Sequence, residues 1–313
     1  MRPVIIAHRG ASGYLPEHTR PAKVLAHIMG ADFLEQDVVA SRDDALVVLH
    51  DIHLNTVTDV ASRFPDRHRG DGRFYARDFD LDEIQTLTAW ERMKADGSAV
   101  YPNRYPAKTG HFRVHTFREE IQLINRLNMA TDRQVGIYPE IKRPAWHKAE
   151  GVDIAPLLLE QIRAFDGSDD KTQVYVQCFD DTELVRLREE LNCPWRLVQL
   201  IGENHWGEAA SDFEYLRSAT GLEQLSHIVD GIGPSISHLY RLDGDDLQPT
   251  GLVQQAHQLG LSVHPYTFRQ DDLPPGFATF EALVRYCVSE LGIDGLFTDF
   301  TDVVLDILQD IET

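Results

Sequence analysis

A chain of 313 residues that is 42% hydrophobic and 26% charged has the balance of a globular protein and the length for a large α/β core. Its 50 acidic against 30 basic side chains give a formal net charge of −20, which repels nucleic acid and anionic bilayers unless a local basic patch overrides the field, and the sequence holds none. No apolar run approaches a membrane span, and Cys178, Cys193 and Cys287 lie too far apart for a disulfide framework or a Cys-x-x-Cys site.

The start, Met1-Arg2-Pro3, runs directly into the four apolar residues 4–7 and then His8, too few for the core of a secretory signal. As written the chain is expected in the cytoplasm, or in the periplasm if a leader has been removed. Short runs rich in Val, Ile, Leu and Tyr follow at 33–37, 136–141, 173–178, 196–201, 228–231, 261–266 and 294–298. Helix-period segments at 20–29, 117–127, 154–165, 181–191, 222–227, 251–259, 280–291 and 302–308 alternate with them. Strands mostly followed by helices predict an α/β fold over residues 1–313, a TIM-type (β/α)8 barrel with a small inserted domain. An open doubly wound sheet is the alternative, but the Gly-x-Gly-x-x-Gly turn it would carry after its first strand is missing.

Two stretches depart from a plain barrel. Residues 46–50 begin too soon after Val39 for a parallel crossover, so Ser41-Arg42-Asp43-Asp44 is expected to turn a hairpin. A turn centred on Arg42 and Asp43 would pair Glu35 with His50 and Asp37 with Val48. Residues 55–115, rich in Arg, Asp, Gly, Pro and Tyr with one helical piece over 81–93, read as an insertion over the active-site mouth.

Polar residues gather at the ends of four strands, where active sites of this fold lie. The groups are His8-Arg9-Gly10, Glu35-Gln36-Asp37, His50-Asp51 and Glu140-Ile141-Lys142. Strand alternation puts Glu35 with Asp37 on one face and Glu140 with Lys142 on another. Three carboxylates facing one cavity call for a hard cation, Mg2+ or Ca2+, or else for a salt-bridge network with Arg9 and Lys142. His8 and His50 are the candidate acid and base, since imidazole titrates near neutrality, and Arg9 and Lys142 suit a phosphate. Residues alone thus point to a metal-assisted hydrolase or lyase acting on an anionic substrate, such as a phosphodiester.

The opening Ala7-His8-Arg9-Gly10-Ala11-Ser12-Gly13-Tyr14-Leu15-Pro16-Glu17-His18-Thr19 resembles bacterial glycerophosphodiester phosphodiesterases. Glu35-Gln36-Asp37, Val48-Leu49-His50-Asp51, Pro139-Glu140-Ile141-Lys142 and Gly295-Leu296-Phe297-Thr298-Asp299 match that family in the same order. Arg113-Val114-His115-Thr116-Phe117 and Val263-His264-Pro265-Tyr266-Thr267 look like its periplasmic-type branch. The resemblance implies a TIM barrel that hydrolyses a small glycerophosphodiester to an alcohol and sn-glycerol 3-phosphate. It implies a divalent cation, Ca2+ or Mg2+, on Glu35, Asp37 and Glu140, with His8 and His50 as the acid/base pair. Arg9 and Lys142 would bind phosphate, Glu17 would line the pocket, and Phe179, Tyr266 and Phe297 would face the glycerol backbone or simply pack the core. Asp299 is expected to cap the last helix, and His18 and His264 stay open between site and core. Arg20, where the family carries an apolar residue, is expected at the surface. A lysophospholipase D would want an apolar groove in residues 55–115, and a binding-only barrel would have no need of both histidines. The oligomeric state is open.

Overall fold

A computed structural model of the chain describes residues 2–170, 173–244 and 246–312. The strands are β1 (Val4–Ala7), β2 (Phe33–Ala40), β3 (Leu46–Val48), β4 (Gly136–Ile141), β5 (Tyr175–Cys178), β6 (Arg196–Ile201), β7 (Gly231–Pro234), β8 (Tyr240–Asp243), β9 (Asp246–Pro249), β10 (Ser262–Val263) and β11 (Gly295–Thr298). Eight of them form a parallel sheet in the order β10-β7-β6-β5-β4-β2-β1-β11. Its two ends meet where the Phe268 N–H donates to the Phe297 carbonyl at 2.8 Å and the Phe297 N–H to the Pro265 carbonyl at 3.1 Å. The result is a nearly closed barrel with helices outside, the expected TIM-type fold.

Six strands each send one side chain to a common cluster: Ile6, Phe33, Tyr138, Tyr175, Val198 and Phe297. Tyr138 stacks on Tyr175 with ring centroids 4.7 Å apart and meets Phe297 edge-on at 5.0 Å. Each such burial stabilises the barrel by about 1.5–3 kcal/mol, and together they plug its interior beneath the polar strand ends. A larger apolar layer joins the outer strand faces to the helices.

The helices start and stop where their end residues dictate. Thr19 caps Arg20–Met29 by accepting from the Ala22 N–H, and Gly30 ends that helix in the left-handed region at φ 105°. Thr116 and Glu119 form a reciprocal capping box on Phe117–Thr131.

The hairpin β2–β3 exists, but its register is one residue away from expectation. Val38 pairs with Val48, Val39 with Val47 and Ala40 with Leu46. The turn holds three residues instead of two, because Asp44 takes φ 62° and the Ser41 N–H closes on the Ala45 carbonyl at 2.9 Å. Glu35 therefore does not pair with His50, nor Asp37 with Val48. β7 lies three residues beyond the expected 228–231. Its close approach to β10 explains Gly231, since a Cβ there would meet Ser262 Oγ at 2.3 Å. The helix expected over 81–93 stops at Thr86, and Ala89 and Met93 instead make single antiparallel bridges to Phe112 and Ala99. The β8–β9 hairpin was not foreseen; three of the four β8 residues are exposed, so no apolar alternation announces it.

Residues following β3 carry a core of their own. Leu49, Leu54, Val57, Phe74, Phe79 and Ile84 pack on one another and on Val39 and Val47 of the hairpin. No helix among the described residues is long and apolar enough to cross a membrane.

Candidate active site

Strand alternation settles the acidic face. Glu35 and Asp37 share one side of β2, while Gln36 points the other way and donates to Glu120 Oε1 at 2.9 Å. Asp37 is the register partner of Glu140 on β4, so two carboxylates sit on adjacent strands. Burial lifts Glu35 and Glu140 well above the usual carboxylate range, and the charge on Asp37 adds to the rise in both. For Asp37 burial pulls the same way but loses to Lys142, His50 and His18, which hold it well below that range.

Asp37 Oδ1 has no hydrogen-bond partner, and Lys142 Nζ stands 3.9 Å from it. Buried acids with an orphaned oxygen fit a hard, oxygen-seeking cation. Ligand atoms of His18, Glu35 and Asp37 lie within 4.8 Å of one another, whereas Glu140 is outside that group and pairs with Lys142 Nζ at 2.8 Å. His18, held at φ 56°, joins the site through Nε2, which is 2.7 Å from Asp37 Oδ2. His264 is core: it is buried, and its Nδ1 meets the Tyr138 hydroxyl at 2.9 Å.

After β1 the chain turns sharply, with Arg9 at φ 60° and Gly10 at φ 86°. A Cβ on Gly10 would lie 2.8 Å from the Ala22 carbonyl carbon, so only glycine lets this loop press against the first helix. The turn aims the Arg9 N–H at Glu35 Oε2, 2.5 Å away, and the guanidinium at Glu17, 3.0 Å away.

Both candidate histidines are backed by an aspartate. His8 Nδ1 is 2.7 Å from Asp299 Oδ1, and Asp299 Oδ2 is held by Arg269 at 2.8 Å and Arg104 at 2.7 Å. His50 Nδ1 is 2.6 Å from Asp51 Oδ1, and Asp51 Oδ2 accepts from Thr56 Oγ1 at 2.6 Å and Arg92 at 2.8 Å. An acceptor on Nδ1 assigns the proton there and leaves Nε2 as a base. Burial, and next the charge of Arg9, lowers His8 to about 4 and His50 to about 3.

A cavity of about 230 Å3 opens where these groups converge. It is lined by His8, Arg9, Glu35, Asp37, His50 and Glu140, and also by Phe179, Tyr266, Phe297, Leu200 and Trp206. Phe297 belongs to the barrel plug as well, so its core-packing and wall positions coincide. Glu17 faces a neighbouring cavity and makes a two-point contact with Arg92 at 2.6 and 2.8 Å. Lys142 is buried against Glu140. The salt bridges of the alternative to a cation are present, Arg9 standing 3.6 Å from Asp37 and Lys142 2.8 Å from Glu140. Arg20 is exposed.

Asp299 was expected to cap the last helix and instead orients His8; its place at the end of β11 is the same signal that singled out His8. Arg92, Arg104 and Arg269 were missed because each belongs to irregular chain, where no periodicity points to a partner. Lys23 was missed too: it is wholly buried, donates to the Glu35 carbonyl and pairs with Glu120 at 2.9 Å behind the acidic strand.

A barrel with paired histidines, an arginine and buried acids at its strand ends is the layout of a hydrolytic enzyme acting on an anionic ester. The comparisons narrow that class. Residues 8–303 match the model of the glycerophosphoryl diester phosphodiesterase family, and the chain belongs to that family, as an enzyme of the phosphoric diester hydrolase type. Glycerophosphodiester phosphodiesterases of Haemophilus influenzae and Treponema pallidum are 41% and 34% identical to it, over 99% and 96% of this chain and 90% of each relative. The fold is shared with a phosphodiesterase of Oleispira antarctica, with TM-score 0.65, 20% identity, and coverage of 98% of this chain and 97% of that one. It is shared also with a glycerophosphodiester phosphodiesterase of Thermotoga maritima, with TM-score 0.61, 18% identity, and coverage of 98% and 99%.

Proposed function

We propose that this enzyme hydrolyses glycerophosphodiesters to an alcohol and sn-glycerol 3-phosphate with the help of a divalent cation, His8 and His50 serving as acid and base. The observation that carries the reading is the meeting of two aspartate-backed imidazoles, Arg9 and three buried carboxylates around one cavity. Membership of the family supports it, and so does the Oleispira antarctica protein, whose structure was determined in complex with the product sn-glycerol-3-phosphate.

Glu35, Asp37 and Glu140 would hold the cation, Ca2+ or Mg2+ by their all-oxygen donor set, and it would supply charge neutralisation at the non-bridging phosphate oxygens. His18 fixes the Asp37 carboxylate in place. The Arg9 guanidinium, tethered by Glu17, donates to the same phosphate, with Lys142 as a second positive charge beside it. One histidine, neutral, takes the proton of the attacking oxygen, whether of water or of the glycerol C2 hydroxyl, and the other, carrying a proton on Nε2 as well as Nδ1, gives it to the departing alkoxide. Phe179, Tyr266 and Phe297 face the C–H surface of the glycerol. Residues 55–115 act as the inserted cover of the mouth, since Arg92 and Arg104 from that stretch reach back to Asp51 and Asp299.

Incubation with glycerophosphocholine and Ca2+ or Mg2+, with and without EDTA, tests the reading by release of glycerol 3-phosphate. Release that needs metal and is abolished in His50→Ala is expected. No release with either metal across a panel of diesters would overturn it.

A further inference from the structure

Behind the acidic strand lies a charged cluster that the hydrolysis does not use. Lys23 of the helix Arg20–Met29 and Glu120 of the helix Phe117–Thr131 are wholly buried and pair at 2.9 Å. Glu120 Oε1 also accepts from Gln36 Nε2 at 2.9 Å, and Oε2 meets His115 Nε2 at 2.6 Å. Burial pushes Glu120 up, but Lys23 and His115 outweigh it and hold the carboxyl at about 2. Apolar side chains of the same volume often fill such a space as stably as an ion pair, since two buried charges give up their hydration. The contribution of this pair therefore lies in what it touches.

β2 is paired with β4 along one edge from Phe33 to Val38. Its other edge changes partner midway. Register pairs with β1 end at Ala7 and Leu34, where β1 turns away. The returning arm of the hairpin takes over at Asp37, whose carbonyl accepts the Leu49 N–H at 3.0 Å, and at Val38, which pairs with Val48. Glu35 falls in the gap between the two. A buried carbonyl there needs a donor that no strand supplies, and Lys23 Nζ donates to it. Glu35 is thus gripped at both ends, its carbonyl by Lys23 and its Oε2 by the Arg9 N–H at 2.5 Å.

Resting on the reading of Glu35 as a cation ligand, we propose that Lys23 is a positioning residue. It replaces the missing strand partner and so aims the Glu35 carboxylate at the cation, and Glu120 holds Lys23 in place. Neither side chain touches substrate or takes part in the proton transfers.

Calorimetric titration of the metal-free protein with Ca2+ and with Mg2+ tests this in the wild type and in two double variants, Lys23→Met/Glu120→Gln and Lys23→Gln/Glu120→Gln. Both remove the two charges together, so no buried charge is stranded. A glutamine amide can still donate to a carbonyl, with one bond less reach, and a methionine cannot. The Met variant should bind the cation about tenfold more weakly, the usual loss when the support of a ligand is removed, and in EDTA should melt within a few degrees of the wild type. The Gln variant should recover part of that affinity. A merely structural pair would lower the melting temperature and leave affinity unchanged, which would overturn the proposal. Equal losses of affinity in both variants would overturn it too, because the bond to the carbonyl is what distinguishes them. If the Met variant does not fold, the Gln variant decides: affinity within about threefold of the wild type supports the proposal, and a loss of about tenfold overturns it. If the wild type binds neither cation, the cation reading falls together with this inference; if it binds and both variants match it, only this inference falls.

Discussion

His8 and His50 carry the same chemical device built from different material. His8 sits at the end of β1 and finds Asp299 at the end of the neighbouring β11, 291 residues away in sequence, with side chains 11% and 2% exposed. His50 leaves the hairpin and finds its own chain neighbour Asp51, at 26% and 16% exposure, which irregular chain then secures through Thr56 and Arg92. Sheet register together with Arg104 and Arg269 holds the first pair, and Thr56 and Arg92 hold the second. The drier pair gains more from each charge and loses more when a charge is left alone.

The largest expected effect tests whether the two arms are equals in chemistry. His8→Ala and His50→Ala should each lower kcat by about 10²- to 10⁴-fold, measured as release of glycerol 3-phosphate. A large loss in only one would break the symmetry.

Stability should separate the arms where chemistry does not. Asp299→Asn leaves Arg269 facing a neutral amide in a buried setting, while Arg104 keeps its two-point contact with Asp271, and should cost about 3 kcal/mol in denaturant unfolding. Asp51→Asn, in a wetter place and with Arg92 still bound to Glu17, should cost about 1 kcal/mol. Similar costs would mean that burial does not distinguish the two pairs.

Arg92 sharpens the comparison further, because it touches Asp51 and Glu17 at once. Arg92→Ala should lower kcat about tenfold with KM little changed, since it positions His50 without needing to touch substrate, and Arg92→Lys should restore part of the loss. A rise in KM alone would make it a binding group.

The smallest effect concerns a histidine outside both arms. Burial holds His264 at about 4, below the 6.5 of an unfolded chain. As pH falls below 6.5 the unfolded state takes up the proton first, so stability present above 6.5 is lost between about 6.5 and 4, by about 1.4 kcal/mol per pH unit at most. His8, His18 and His50 pull in the same direction. The fall in Tm from pH 7 to pH 5 should be shallower in His264→Gln than in the wild type.

The contrast between the arms also explains what could be read from the sequence. The barrel strands and the helices Arg20–Met29 and Phe117–Thr131 were legible because apolar periodicity and capping residues are local signals. His8, Glu35, Asp37 and Glu140 were legible because strand alternation and strand ends place them. The hairpin was legible but its register was not, since one left-handed Asp44 decides between a two- and a three-residue turn. Asp299 was visible as a polar residue at a strand end, yet its partner depends on β11 lying beside β1. Arg92 gave no signal at all: it stands in bridged, non-helical chain where a helix was expected, and its partners are set by how that stretch folds back on the barrel.

The division of labour between the histidines is tested most directly with the leaving group. Wild type, His8→Ala and His50→Ala are compared on glycerophosphocholine and on the p-nitrophenyl ester of glycerol 3-phosphate, whose leaving group needs no proton. Paired acid and base action predicts that one variant, and not the other, recovers most of its rate on the p-nitrophenyl ester. Equal losses on both substrates in both variants would contradict it.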